Sequence, residues 1–308
     1  MKKLSVFLLA VALVFGLNTN AVAHDPPDFL GFVWQWSDDT IPVLDGDISE
    51  FNIIPEEFWV TSEFADQNGN TSADRADGYD GPLDAASLSY RWVATWVDSE
   101  NRIYFGHDRF DDVWWPWDDI EIAIDADHSG GNFWNLEDQT DEEIQRTRGR
   151  HAQIYHLFFD DGLARGPGIW SWFWMTQADW YDVPPYSDKA YTYTGEPGDG
   201  NEWTLEAEWY NVVWDDYNWL DPEGSIEHDL TEGEVIGMAN NVWDHDTLPG
   251  GDTNECACAG RWSLSPNVES FGDADFFADF LMMPIDEEIL STAVEDNTWG
   301  QIKASMAR

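Results

Sequence analysis

The chain has 308 residues, of which 15% are aromatic (20 are Trp), and it carries 61 acidic against 14 basic side chains for a formal charge of −47. That aromatic content argues against a disordered chain, and that charge excludes nucleic acid and anionic membranes as partners, because phosphate binding needs clustered Lys and Arg. An acidic surface of this kind draws cations, either as bound calcium or as the salt of saline surroundings.

The first 23 residues read as a cleavable signal peptide. Lys2 and Lys3 open it, Leu4 to Leu17 is an uncharged apolar run, and Ala21-Val22-Ala23 supplies the small-x-small cleavage pattern. The run is too short to span a bilayer, and no later segment is apolar enough to do so. The competing reading is an N-terminal anchor. Export implies a periplasmic or extracellular protein that starts at His24, with one domain over 24–285 and a tail over 286–308.

Short β-type runs follow one another through the mature chain, separated by Gly, Pro, Asn and Asp. They are Tyr90 to Val97, Ile103 to Phe105, Ile120 to Asp125, Gln153 to Phe159, Ile169 to Met175, Trp203 to Trp209, Val235 to Trp243 and Phe276 to Met283. Ile120 to Asp125 alternates apolar and acidic residues, which predicts a half-buried strand. The pattern predicts an all-β fold, an antiparallel β-sandwich with loop insertions. Helical pattern is scarce. Asp141 to Arg150 predicts a short exposed helix, and Asp286 to Arg308 a second helix or a flexible tail, with acids early and Lys303 and Arg308 late. Residues 66–82 form a polar loop. Cys256 and Cys258 are too close for an unstrained mutual disulfide and lack the spacing of a structural zinc site.

Three stretches resemble family 9 carbohydrate-binding modules and their relatives. Asp45-Gly46-Asp47-Ile48-Ser49-Glu50-Phe51 is similar to the opening motif, with Phe51 where Trp is usual. Trp114-Trp115-Pro116-Trp117-Asp118-Asp119-Ile120-Glu121-Ile122-Ala123-Ile124-Asp125 is similar to the family's central strand and is the most specific piece. Trp203 to Trp214, Ile236 to Asp246 and Arg261-Trp262-Ser263 follow in the family's order. The resemblance spans residues 40 to 284 and implies a jelly-roll-like sandwich. It also implies that a polysaccharide or oligosaccharide is the partner. A sugar ring would stack on Trp115, or on Trp117 if the loop shifts, with Glu121 and Asn241 taking hydroxyls and Trp262 close by. The family's second aromatic platform has no Trp counterpart; Phe271 is the nearest aromatic.

Asp125, Asp127 and Ser129 place oxygens at alternate positions before Gly130 and Gly131, like the start of a calcium loop. Position 12 counted from Asp125 is Leu136, so it is not an EF-hand, and an ordinary acidic turn is the rival reading. Family relatives bind structural calcium. No nucleophile elbow, zinc-protease motif or phosphate loop is present, so the chain reads as non-catalytic. Two other classes stay open. Related sandwich domains include those of cellobiose dehydrogenase cytochromes and the haem-binding subunit of periplasmic dimethyl sulfoxide reductase-like and ethylbenzene dehydrogenase-like enzymes, for which Met175, Met238, Met282, Met283 and several His would be the available axial ligands. A surface module that binds another protein is the third.

Overall fold

The computed structural model describes residues 26, 29–64, 86–114, 118–133, 150–160, 163–169, 180–195, 201–218, 220–244, 260–267, 270 and 272–286. The signal peptide, the 66–82 loop, the predicted helix but for its last residue, Cys256, Cys258 and nearly all of the tail lie outside them. Among the described residues no helix is long and apolar enough to cross a membrane.

The chain is all-β. Its strands are β1 (Leu30–Gln35), β2 (Val60–Thr61), β3 (Leu88–Val97), β4 (Arg102–Trp114), β5 (Asp119–Asp125), β6 (Gln153–Asp160), β7 (Leu163–Ile169), β8 (Ser187–Gly195) and β9 (Asn201–Asn211). After these come β10 (Trp214–Asp216), β11 (Ile226–Glu227), β12 (Val235–Asp244), β13 (Gly260–Ser263) and β14 (Ala278–Met282). Ten of them form the path β7-β6-β5-β12-β14-β1-β3-β4-β9-β8, with β13 on β12 and β2 on β3. β7 at one end lies against β8 and β9 at the other, so the sheet curls on itself.

One feature departs from the expected antiparallel order. β1 runs parallel to both β14 and β3. A parallel neighbour needs a long crossover, and residues 36–87 supply it between β1 and β3.

The inside of the curl is the main core. Ile120, Ile122 and Ile124 from β5 meet Trp92, Phe105, Trp203 and Trp209 from β3, β4 and β9. On the outside of β1, β3, β4 and β9, the 3-10 turns Ile48–Ile53 and Glu56–Phe58 lay Ile48, Phe51, Ile54 and Trp59 over Trp34, Val93 and Tyr104. Gly106 has no side chain because the Phe51 ring occupies that space, 2.9 Å from where a Cβ would stand. A third apolar group covers the outside of β5, β6 and β12: Ala123, Ile154 and Ala239 under Phe133 and Phe277.

β5 corrects the sequence reading. Every one of its seven residues is buried, on both faces. The face expected to meet water instead carries enclosed carboxylates, and these form the candidate functional site.

Candidate functional site

Register brings four polar side chains into one row across adjacent strands. His156 on β6 lies opposite Glu121 on β5, Glu121 opposite Asn241 on β12, and Asn241 opposite Ser263 on β13. Alternation puts Asp119, two residues from Glu121, on the same face. All five residues are 0–6% exposed. Asn241 donates from Nδ2 to Glu121 Oε2 at 3.1 Å, Trp243 bonds the same carboxylate, and His156 Nε2 meets Asp119 Oδ2. Burial, then the Asp119 charge, push the Glu121 carboxyl up to about 7. Burial alone would lower His156, but the Asp119 carboxylate raises it above its ordinary value. Three oxygens in the row have no hydrogen-bond partner: Asp119 Oδ1, Asn241 Oδ1 and Ser263 Oγ. A buried acceptor left unpaired costs about 1–3 kcal/mol, so the row is short of donors.

The opposite face of the same strand ends holds a second polar group. Arg109 on β4 donates from Nη2 to Asp111 Oδ2 at 2.5 Å and to the Trp243 carbonyl at 2.8 Å, and from Nη1 to the Asp119 carbonyl at 3.4 Å. Asp118 Oδ1 stands 3.6 Å away, and Asp111, Asp118 and Asp244 cluster closely enough to share an ion. The Trp203 ring lies 5.5 Å from the guanidinium and stacks on Trp114 at 4.4 Å. Arg109 is thus a fixed cation inside an acidic plug, and its two carbonyl bonds pin the backbone that carries Asp119 and Trp243. Nearby His107 is fully buried, and burial followed by the Arg109 charge pushes it down to about 3.

Of the residues expected from sequence, Glu121 and Asn241 come together as a bonded pair. Trp115 and Trp117 lie outside the described residues. Trp262 does not join the pair. It faces the main core, 1% exposed and edge-on to Tyr90 at 6.1 Å, because β-strand alternation gives the row Ser263 in its place. Trp243 takes an aromatic position beside Glu121 and keeps a partly exposed surface. Asp125, Asp127 and Ser129 sit at the far end of β5, about 20 Å from Asp119 by strand rise. There Asp125 accepts from Ser129 N at 3.1 Å and Gly130 N at 2.7 Å, and Asp127 Oδ1 accepts from Ser129 N at 3.2 Å. These bonds account for the loop as a turn that caps its own amides. Neither acid belongs to the two groups among the described residues with metal-binding spacing, Asp119–Glu121–His156 and Asp111–Asp118–Asp244. Met238, Met282 and Met283 are buried; Met175 lies outside the described residues.

Sequence reading missed Asp119, His156 and Ser263 as site residues. Asp119 had a signal, since it shares the Glu121 side of an alternating strand. His156 and Ser263 had none, because only strand pairing places them beside Glu121 and Asn241.

No protein-family model matches the chain, and no curated protein matches it. Two solved structures are similar to it. Both are family 9 carbohydrate-binding modules from Caldicellulosiruptor kristjanssonii, one in complex with glucose and one with cellotriose. Each is 12% identical at a TM-score of 0.44 and covers 84% of this chain, with 98% and 96% of the respective modules aligned. At that distance the likeness assigns neither ligand nor residue.

Proposed function

We propose that this chain is a secreted, non-catalytic carbohydrate-binding module whose site is the Asp119–Glu121–Asn241 face of β5 and β12. The observation that carries the reading is three buried oxygens without donors, Asp119 Oδ1, Asn241 Oδ1 and Ser263 Oγ, beside a partly exposed tryptophan. Sugar hydroxyls are donors, and their oxygens bond carboxylates and amides directly. Sugar rings also present C–H faces that pack on indole, a role that suits Trp243, with Trp115 or Trp117 proposed from the motif alone. Glu121 and Asn241 take the hydroxyls in this reading. Secretion rests on the Lys2-Lys3, apolar and Ala21-Val22-Ala23 sequence alone, and mass spectrometry of exported protein tests it by finding His24 first. We leave calcium at the Asp125 loop out of the proposal, since backbone amides already occupy both oxygens of that carboxylate.

The test is a glycan array followed by calorimetry on the mature chain, with cello-oligosaccharides among the ligands. Wild type binds at least one neutral sugar. Asn241→Ala and Trp243→Ala each weaken binding by about tenfold or more, the scale of roughly 1.4 kcal/mol for a lost hydrogen bond or stacking contact. Absence of any sugar binding by folded wild type ends the proposal. A Soret band in the purified protein would replace it with haem binding.

A further inference from the structure

We propose that Asp119, Glu121 and His156 hold a divalent cation of the zinc class, with a fourth position left open. Their ligand atoms all lie within 4.8 Å of one another, and all three residues are buried. The inference needs only this trio and its surroundings, and it stands whether or not a sugar binds.

Three observations converge. The first is donor chemistry. Imidazole with two carboxylates suits zinc and its transition-metal neighbours, which take three protein ligands and a water or substrate. Calcium asks for six to eight oxygens and has little use for imidazole. The second is charge. Two carboxylates with a neutral imidazole carry two negative charges, and one dication balances them in a place where isolated charge is costly. The third is the set of unfilled oxygens. Asp119 Oδ1, Asn241 Oδ1 and Ser263 Oγ have no partner, and they belong to residues 5%, 1% and 0% exposed. A metal takes a carboxylate oxygen, and a metal-bound water donates to an amide oxygen and a hydroxyl. Asn241 stands directly beside Glu121 in ladder register, where such a water would meet its amide oxygen, and Ser263 is one strand further on. The Asn241 amide on Glu121 Oε2 also orients that carboxylate, the usual task of a group behind a metal ligand. Glu121 has two oxygens, so ligation through one leaves the other for Asn241 and a hydroxyl.

The experiment uses the full mature chain, stripped of metal and then loaded with zinc chloride. Excess calcium is present throughout, because 61 acidic side chains bind cations weakly everywhere. After desalting, elemental analysis of wild type gives about one zinc per chain. His156→Ala and Glu121→Gln retain less than about a tenth of that. Near-ultraviolet circular dichroism checks that the variants are folded. Cobalt loading gives wild type a visible absorption band, a readout that requires no variant. No zinc and no band in folded wild type overturns the inference, as does equal zinc in wild type and folded variants. The glycan array, repeated with and without zinc, separates this inference from the sugar reading. Zinc bound without sugar sinks only the carbohydrate proposal, while sugar bound by a chain that takes no zinc sinks only this one.

Discussion

Arg109 shows how much one side chain carries here. Its guanidinium reaches Asp111, the Trp243 carbonyl and the Asp119 carbonyl together, with Asp118 close by. Arg109→Ala strands three carboxylates in the interior, and removing one partner of a buried ion pair costs about 3–5 kcal/mol. Urea midpoints check that figure. Arg109→Lys restores little, since one ammonium cannot span a carboxylate and two carbonyls at once. The loss shrinks in mild acid, because protonating the stranded acids removes the buried charge. The importance of Arg109 was not legible in the sequence. It sits in Asp108-Arg109-Phe110-Asp111-Asp112, which reads as an ordinary solvated charge run. Only the curl of the sheet turns Arg109 and Asp111 inward and Asp112 outward.

Two connecting elements make predictions of their own. The Asp45-Gly46 turn is held by Glu208 Oε1, which accepts from the two amides at 2.5 and 2.6 Å. Gly46 has φ +87°, and an added Cβ would stand 2.7 Å from the Tyr191 backbone. Gly233 has nearly the same φ, +82°, with nothing within 4 Å. Gly46→Ala should therefore cost clearly more than Gly233→Ala, which bears only the roughly 1–2 kcal/mol of left-handed backbone. Chemical denaturation of the pair checks the order, and equal costs would refute it. The β10–β11 hairpin is clamped by His228, whose Nδ1 lies 2.6 Å from Asp215 and Nε2 3.4 Å from Glu234. Burial opposes its protonation, but these carboxylates push it up to about 9. A raised histidine stabilises fully below its unfolded value of 6.5 and loses that contribution as pH rises through about 9. The cost of His228→Ala should be larger near pH 6 than near pH 10, and denaturation at both values measures it.

For the whole molecule, charge sets the pH response. Burial pushes Asp111, Glu121, Asp125 and Glu208 each up to about 7, from ordinary values of 3.8, 4.5, 3.8 and 4.5. The folded state then binds more protons than the unfolded state between those limits, so stability falls as pH rises from about 4 to about 7. His107 works the other way. It is held down to about 3, so folding loses stability as pH falls below 6.5. Four carboxylates outweigh one imidazole, and His228 adds a further decline toward pH 9. In metal-free buffer of fixed ionic strength, the melting temperature should be higher near pH 5.5 than near pH 8. Added salt should raise it more at the higher pH, where the −47 chain repels itself most. A melting temperature that climbs from pH 5.5 to 8 would contradict this account.

The sequence alone determined the class of fold and the main strands, because strand alternation and turn chemistry are local properties. Tyr90 to Val97 and Val235 to Trp243 fall inside β3 and β12 to within two residues at either end. Motif order also singled out Glu121 and Asn241, which the fold brings together as a hydrogen-bonded pair. The sequence left β8 unread, since Ser-Asp-Lys-Ala-Tyr-Thr-Tyr-Thr-Gly is too polar to announce a strand, and it left the parallel setting of β1 unread. Only the tertiary structure decided that the acidic side of β5 is enclosed, that Trp262 points to the core and that His156 stands opposite Glu121. Register and burial depend on which strands lie beside which. Residues 121, 156, 241 and 263 are scattered along the chain, and only the paired sheet sets them side by side.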